Sequence, residues 1–274
     1  MLPLWRDKIR FVLCKNRLII VHMQGGRRAR ILAKQVFPCD NPDAGWQPVL
    51  ALLKSALAGT QWKKADAQVV LSNHFVRFLV LPWNEARLSD AEKMALVQHR
   101  FDEVYGEGEA GWEYRLNEGA FGTPSLASAI PTELLGQLKE LFMATPLRLR
   151  SVQPYLMTAF NACRRELSKE EGWFVLAERD TFCVGLLQGG HWSSIRLRRV
   201  VTDWYEEALQ LLEREALLVP EGNKFNKVFV YAPEIAGTAS VKRGPWQIQR
   251  LESNLPPEIA QIERANFAMA AAGV

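Results

Sequence analysis

The sequence is poor in the features that announce a disulfide scaffold, a metal centre or a membrane span. Four cysteines occur in 274 residues, Cys14, Cys39, Cys163 and Cys183. None is paired as C-x-x-C and three lie inside apolar runs, which is the pattern of reduced core thiols in a cytosolic protein. The four histidines, His22, His74, His99 and His191, are scattered without the spacing that closes a ligand set. There is no GxSxG elbow, P-loop or HExxH. No apolar run reaches membrane-spanning length, and Met1-Leu2-Pro3-Leu4-Trp5-Arg6 lacks a signal-peptide core. If it works at a membrane, something else is expected to hold it there. Charge of one sign is also scarce. Lys and Arg number 34 against 30 acids, leaving +4, spread along the chain. The basic run Gly25-Gly26-Arg27-Arg28-Ala29-Arg30 and its counterpart Arg196-Leu197-Arg198-Arg199 alternate as the wet face of a strand does. Clustered basic and aromatic positions of a nucleic-acid surface are missing.

What is present is a doubled text. Residues 11–26 read FVLCKNRLIIVHMQGG and residues 174–190 read FVLAERDTFCVGLLQGG. Each opens on Phe-Val-Leu, breaks at polar residues, runs on apolar and closes on Gln-Gly-Gly, the second with one extra residue. A repeat of this length implies two copies of one folding unit. With 48% hydrophobic residues and nine Trp, the chain has ample material for two cores.

Both copies predict the same order of elements. In the first, Phe11–Cys14 is a strand, Lys15-Asn16-Arg17 a turn and Leu18–His22 a strand buried on both faces. Arg28–Lys34 follows as a third strand, then a helix near Pro48–Leu57 and a buried strand at Ala67–Leu71. In the second, strands are expected at Trp173–Ala177, Thr181–Leu187 and Trp192–Val200. Asp203 and Glu206 have capping-box spacing before a helix, and Lys227–Tyr231 closes the unit. Gly25-Gly26 and Gly189-Gly190 read as hairpin turns, not phosphate cradles.

Between the copies, Ser89 and Glu92 cap a helix carrying Met94, Val97, Phe101, Val104 and Tyr105. Strands at 111–116 and 125–130, a helix at 132–143, a strand at 147–152 and a helix at 154–167 complete the reading. The expected organisation is a first half over 1–83, completed by helix 154–167, an inserted α+β subdomain over 84–150, and a second half over 151–274.

Val69-Val70-Leu71-Ser72-Asn73-His74-Phe75-Val76-Arg77-Phe78-Leu79-Val80-Leu81-Pro82 is a strand, a polar turn, a "V-R" strand and a Leu-Pro stop, followed by the acidic helix start Asp90-Ala91-Glu92-Lys93. Ser151-Val152-Gln153-Pro154 then leads into a helix, and Phe267–Gly273 is a run of small residues. In these features the chain resembles the PilM-type proteins of type IV pilus assembly, the cytoplasmic domain of GspL-type proteins of type II secretion, and MshI-type pilus proteins. The resemblance implies an α/β, duplicated actin-like (ribonuclease-H-like) ATPase fold, with two mixed-sheet halves and an inserted α+β subdomain.

An actin-like fold binds phosphate at the turns between the first two strands of each half, where glycine and aspartate are needed. Here the turns are Lys15-Asn16-Arg17 and Glu178-Arg179-Asp180, without glycine. The expected adenine-side loop is Tyr231-Ala232-Pro233-Glu234, without paired glycines. These are degenerate phosphate-loop positions, so no cofactor and no catalytic or metal residue is expected. The alternative is ATP with Mg, its phosphates neutralised by Lys15 and Arg17 and its metal held by Glu178 or Asp180. A ribonuclease-H nuclease would need more acids on adjacent strands.

The resemblance then implies a cytoplasmic, non-catalytic scaffold, peripheral at the inner membrane. Its partner would be a PilN-type inner-membrane protein, held by a cytoplasmic peptide in a groove or at a sheet edge. Trp83, Trp112 and Tyr114 are the candidate anchors, unless they are simply core. The alternatives are an active ATPase that regulates the same partner, and a nucleic-acid-binding protein.

Overall fold

A computed structural model describes residues 6–26, 30–41, 43–59, 62–86, 88–106, 111–167, 170–220, 225–235, 241–252 and 256–272. Arg27, Arg28 and Ala29 of the first basic run, and Gly273 of the terminal run, lie outside them. The chain forms two compact units. One comprises residues 1–75, 134–163 and 252–274, the other 76–133 and 164–251.

The first unit is built on strands β1 (Lys8–Cys14), β2 (Arg17–Gln24), β3 (Arg30–Pro38) and β4 (Asp66–Leu71), with helix α1 (Gln47–Leu57) between the last two. β1 and β2 are almost wholly buried and mostly apolar, as strands covered on both faces are. On one face, Phe11 packs edge-on against Phe142, ring centroids 5.3 Å apart. The same face meets Trp62, whose indole donates to Ala56 of α1.

The second unit begins with β5 (Arg77–Leu81), α2 (Asp90–Tyr105), β6 (Trp112–Asn117) and β7 (Ser125–Pro131). The expected capping box is present: Ser89 and Glu92 exchange hydrogen bonds at the start of α2. Val97 and Phe101 face the core, whereas Val104 is exposed. The chain continues through α3 (Thr132–Met143), β8 (Arg148–Pro154), α4 (Tyr155–Ala162) and the single turn α5 (Arg164–Leu167). The expected helix at 154–167 is thus two helices separated by Cys163.

Residues 134–154 do not belong with the insertion. β8 lies parallel to β4 with Val69 opposite Val152, giving a five-stranded sheet in the order β3-β2-β1-β4-β8. Leu134, Leu138 and Phe142 are buried, Phe142 against Phe11. Buried Asn73 accepts a hydrogen bond from the Leu156 amide, supplying at the start of α4 the cap that Pro154 cannot. The inserted segment is therefore 76–133, rather than 84–150.

The second unit's main sheet contains β9 (Gly172–Ala177), β10 (Thr181–Gln188), β11 (His191–Arg199) and β12 (Lys227–Tyr231), with α6 (Trp204–Ala216) between the last two. Asp203 caps α6 by accepting from the amides of Tyr205 and Glu206. Glu206 instead pairs with Arg243, so the reciprocal half of a box is not made. β13 (Val241–Arg243) and β14 (Trp246–Arg250) were not legible in advance. They complete the order β11-β10-β9-β12-β14-β13. β14 lies parallel to β12 just as β8 lies parallel to β4.

α7 (Arg264–Ala271) is the last helix among the described residues. It packs in the first unit on the β1 face opposite Phe11, where Cys14 meets Met269 at 3.6 Å. Residues 252–274 therefore return to the first unit rather than ending the second half.

The duplication is deeper than the sequence match. Each β2-type strand carries a register shift two residues before its Gly-Gly pair, between His22 and Met23 and between Leu186 and Leu187. Ile20 pairs with Phe11 as Val184 pairs with Val175. The same tip hydrogen bond recurs, from Cys39 N–H to Asn16 and from Val200 N–H to Asp180. These landmarks equate Phe11 with Val175, not Phe174. The two Phe-Val-Leu strings are one residue out of step, and the apparent extra residue disappears. Gly189 and Gly190, at φ 55° and 81°, make a two-residue hairpin turn that needs left-handed backbone at both positions.

Candidate functional site: the hairpin tips and a groove on the inserted sheet

The two hairpin tips correspond residue for residue. Lys15 stands where the second unit has Arg179, Asn16 where it has Asp180, and Arg17 where it has Thr181. Lys15 is turned to Asp43, 2.8 Å away. Arg17 is not a turn residue: it begins β2, opposite Cys14, and is buried. Glu178 is also buried, its amide bonded to the Thr181 carbonyl. Together with burial, its carboxylate pushes the neighbouring Cys183 thiol far above its ordinary range. Arg179 is exposed and Asp180 half-buried. After β12, Glu234 is buried. Among the described residues, no group of three His, Cys, Asp or Glu side chains is placed to hold a metal ion.

The inserted segment offers different chemistry. Its three strands run β5-β7-β6, so β6 is an edge strand. α2 crosses this sheet and seals a small core of Leu81, Val97, Phe101, Ala127 and Ala129. Trp112, Tyr114 and Leu116 alternate along β6 and pack against that core. Phe101 lies 5.2 Å from Tyr114.

Beside the edge opens a groove of about 760 Å³. Its helical wall is Ala91, Met94, Ala95, Gln98 and Asp102. This stripe is turned by one residue, roughly 100°, from the Val97–Phe101 stripe in the core. α2 therefore overhangs the edge of the sheet. Trp112 and Tyr114 form the other wall, with Thr132 at the end, where its amide bonds the Gly111 carbonyl at 3.1 Å.

Trp112 is held from behind. The Arg77 guanidinium lies 5.8 Å from its ring and 6.0 Å from that of Tyr105. Burial pulls the Arg77 pKa below its ordinary value. The Tyr105 hydroxyl donates to the Phe78 carbonyl at 2.7 Å. Burial raises the Tyr114 phenol pKa, and the Asp102 carboxylate pushes it the same way.

Of the three aromatic anchors named from the sequence, Trp112 and Tyr114 come together in this groove. Trp83 does not line it. Its ring is 40% exposed and lies 4.8 Å from Phe121, itself 91% exposed. The helical wall was missed. In sequence Met94 reads as part of the core stripe, and nothing marks Asp102. The discriminating signal was the Ala91–Ala95–Gln98–Asp102 spacing, a second stripe beside the apolar one.

No protein-family model matches the sequence, and no curated protein matches it. Solved structures do match. A chain of a PilM–PilN type IV pilus biogenesis complex superposes with a TM-score of 0.64 at 13% identity, over 96% of each chain. The cytoplasmic domain of EpsL, an inner-membrane component of the Vibrio cholerae type II secretion system, gives 0.57 at 10% identity over 90% of each. A Bacteroides thetaiotaomicron protein with an actin-like ATPase fold gives 0.55 at 9%, over 86% of this chain and 83% of that one. The fold is actin-like. The resemblance read from the strand, turn and Leu-Pro pattern around Val69–Pro82 is thus borne out in the architecture, including the duplicated sheet and the insertion. No helix among the described residues is long and apolar enough to cross a membrane.

Proposed function

We propose that this actin-like chain is a non-catalytic platform on the cytoplasmic side of a type IV pilus or type II secretion assembly. It holds the cytoplasmic tail of a PilN-type inner-membrane partner in the groove between α2 and β6. The observation that carries the reading is the end-to-end match to a chain of the PilM–PilN complex. The groove supports it: it is open, lined by apolar and polar groups in similar measure, and bordered by a strand edge that no other strand pairs with among the described residues, as peptide recognition requires.

The chemistry of the tips supports the non-catalytic part. Phosphate binding at such a turn uses backbone N–H groups brought close by glycine. Here one tip presents Lys15 paired to Asp43, and the other draws Glu178 into the interior. A nucleic-acid role has less support. Arg196 is committed to Glu215 at 3.0 Å and Arg243 to Glu206 at 2.7 Å.

The test is capture of a partner from detergent-solubilised inner membrane, with cross-linked peptides identified by mass spectrometry. The expected result is a single-span protein cross-linked through its cytoplasmic tail to α2 or β6. Ala95→Arg, which puts a long cation into the groove from an exposed helix flank, lowers recovery at least tenfold. Undiminished recovery, or cross-links elsewhere, would remove the groove from the reading. Calorimetry with ATP and Mg²⁺ is expected to give no saturable heat. A magnesium-dependent isotherm in the micromolar range would replace the platform with the ATPase reading.

A further inference from the structure

The groove specifies how its occupant lies and what side chains it carries. Trp112 pairs with Pro131, Glu113 with Ile130 and Tyr114 with Ala129. The Thr132 amide bonds the Gly111 carbonyl, which makes positions 111 and 132 a hydrogen-bonded pair. In an antiparallel ladder such pairs alternate. Glu113 and Arg115 therefore turn their backbone groups toward β7, and Trp112, Tyr114 and Leu116 turn theirs outward. Pro131 fits this phase, since it has no N–H to give and sits opposite an outward position. Among the described residues no strand pairs with that outer edge.

The same three residues direct their side chains toward α2, whose Met94–Asp102 flank overhangs the edge. A strand added to β6 at about 4.8 Å lies beneath this flank, and alternate side chains point up into it. The chemistry along the flank is graded. Lys93 pairs with Glu118 beyond the end of β6, and Phe101 sits at Tyr114, so α2 runs antiparallel to β6. Asp102 accordingly lies near the Trp112–Tyr114 end, with Ala91, Met94 and Ala95 toward the Leu116 end. Among the described residues that line the groove, Asp102 is the one charged side chain.

We infer that the groove binds an extended segment by strand addition to β6, the segment presenting a Lys or Arg to Asp102 and an aliphatic residue to the Ala91–Met94–Ala95 recess. The cation also meets the faces of Trp112 and Tyr114. Helix rise separates Asp102 from Ala95 by roughly 10 Å, and a strand advances about 3.4 Å per residue. The aliphatic residue therefore stands two or four positions from the cation, on the same face. This rests on the partner-tail reading above and adds the geometry and charge of the tail.

The test is selection from a displayed library of randomised nonapeptides against the whole chain. Recovered peptides are expected to carry Lys or Arg with an aliphatic residue two or four positions away. N-methylation of the backbone, scanned along the best peptide, weakens binding at least tenfold at every second residue and little at the others. Asp102→Lys, with an unchanged melting temperature, loses these peptides and accepts versions with Glu in place of the cation. If Asp102→Lys fails to fold, Asp102→Asn serves, with at least a tenfold loss expected. No enrichment of a basic residue, no period of two in the scan, or indifference to the change at Asp102 overturns the proposal. Partner capture without these peptide preferences would sink the binding mode and leave the platform role standing. The preferences without any membrane partner would do the reverse.

Discussion

Replacing Arg10 by Met is expected to cost about 3 kcal/mol and to release the C-terminal helix from its sheet. Arg10 points from β1 to the end of α7, where its guanidinium donates to the Ala270 carbonyl at 2.9 Å and the Ala272 carbonyl at 2.6 Å. A third contact reaches Gln68 at 3.3 Å on the neighbouring strand. The last carbonyls of a helix have no partner within it, and here they are buried among Phe267, Met269 and Ala271. Methionine fills the space but leaves both carbonyls unsatisfied and removes two charge-assisted bonds. Burial pulls the guanidinium pKa down to about 10, which leaves it charged at neutral pH. Both carbonyls are held by one guanidinium nitrogen and Gln68 by the other; lysine keeps the charge and one donor nitrogen but not the second, so Arg10→Lys should fall between wild type and Met. Hydrogen exchange gives the decisive reading. Amides of α7 and of β1 lose protection in Arg10→Met, while those of α6 keep it. Unchanged exchange in α7 would show that packing alone holds the helix.

Much of this architecture was legible because its signals are local. Alternating or continuous apolar runs mark strands whatever they pair with, and the Ser89–Glu92 and Asp203 caps mark helix starts within four residues. The duplication was legible for the same reason, through Gln-Gly-Gly. Its register was not. The two Phe-Val-Leu strings match by letter, but strand register is set by cross-strand pairing and by the bulges at Met23 and Leu187, which no short string encodes. The unit boundaries were missed because they depend on long-range pairing. Nothing within Arg148–Pro154 says that it joins β4, or within Trp246–Arg250 that it joins β12. The terminal helix likewise shows its destination only through distant contacts such as Arg10, 260 residues away.

The groove was half legible. Aromatic residues in an inserted segment drew attention to Trp112 and Tyr114, and the structure places both on one wall. Trp83 had equal claim in sequence, but its position just past β5 sends it to Phe121 instead. The other wall depends on the angle at which α2 crosses the sheet. A one-residue turn of the helix would have buried Gln98 and exposed Val97. That angle is fixed by Phe101 on Tyr114 and by Tyr105 on the Phe78 carbonyl, neither of which is a sequence signal.

A second large effect is expected at Gly185, which the internal symmetry equates with Val21, the residue opposite Arg10. In the first unit this spot lies on the sheet face that receives α7. In the second, Gly185 pairs with Phe174 and lies diagonally across from Trp192. A β-carbon at Gly185 would stand 2.4 Å from Trp192 Cζ3 and 3.2 Å from the Ser194 carbonyl. The indole is 8% exposed and packs edge-on against Phe174 at 5.9 Å, so it has little room to yield. Gly185→Ala is therefore expected to destabilise the second unit by about 3 kcal/mol, at the upper end for overpacking. Trp192→Leu shortens the side chain and relieves the clash. The double variant should be more stable than the Gly185→Ala single, a coupling that urea unfolding of the four-member cycle measures directly. Equal losses in single and double variants would mean that the strand, not the indole, resists the methyl group. The corresponding positions have thus diverged in opposite directions. One copy keeps a valine there, opposite the arginine that catches a helix the chain returns to it, and the other removes the side chain altogether so that its own third strand can lay a tryptophan across the sheet.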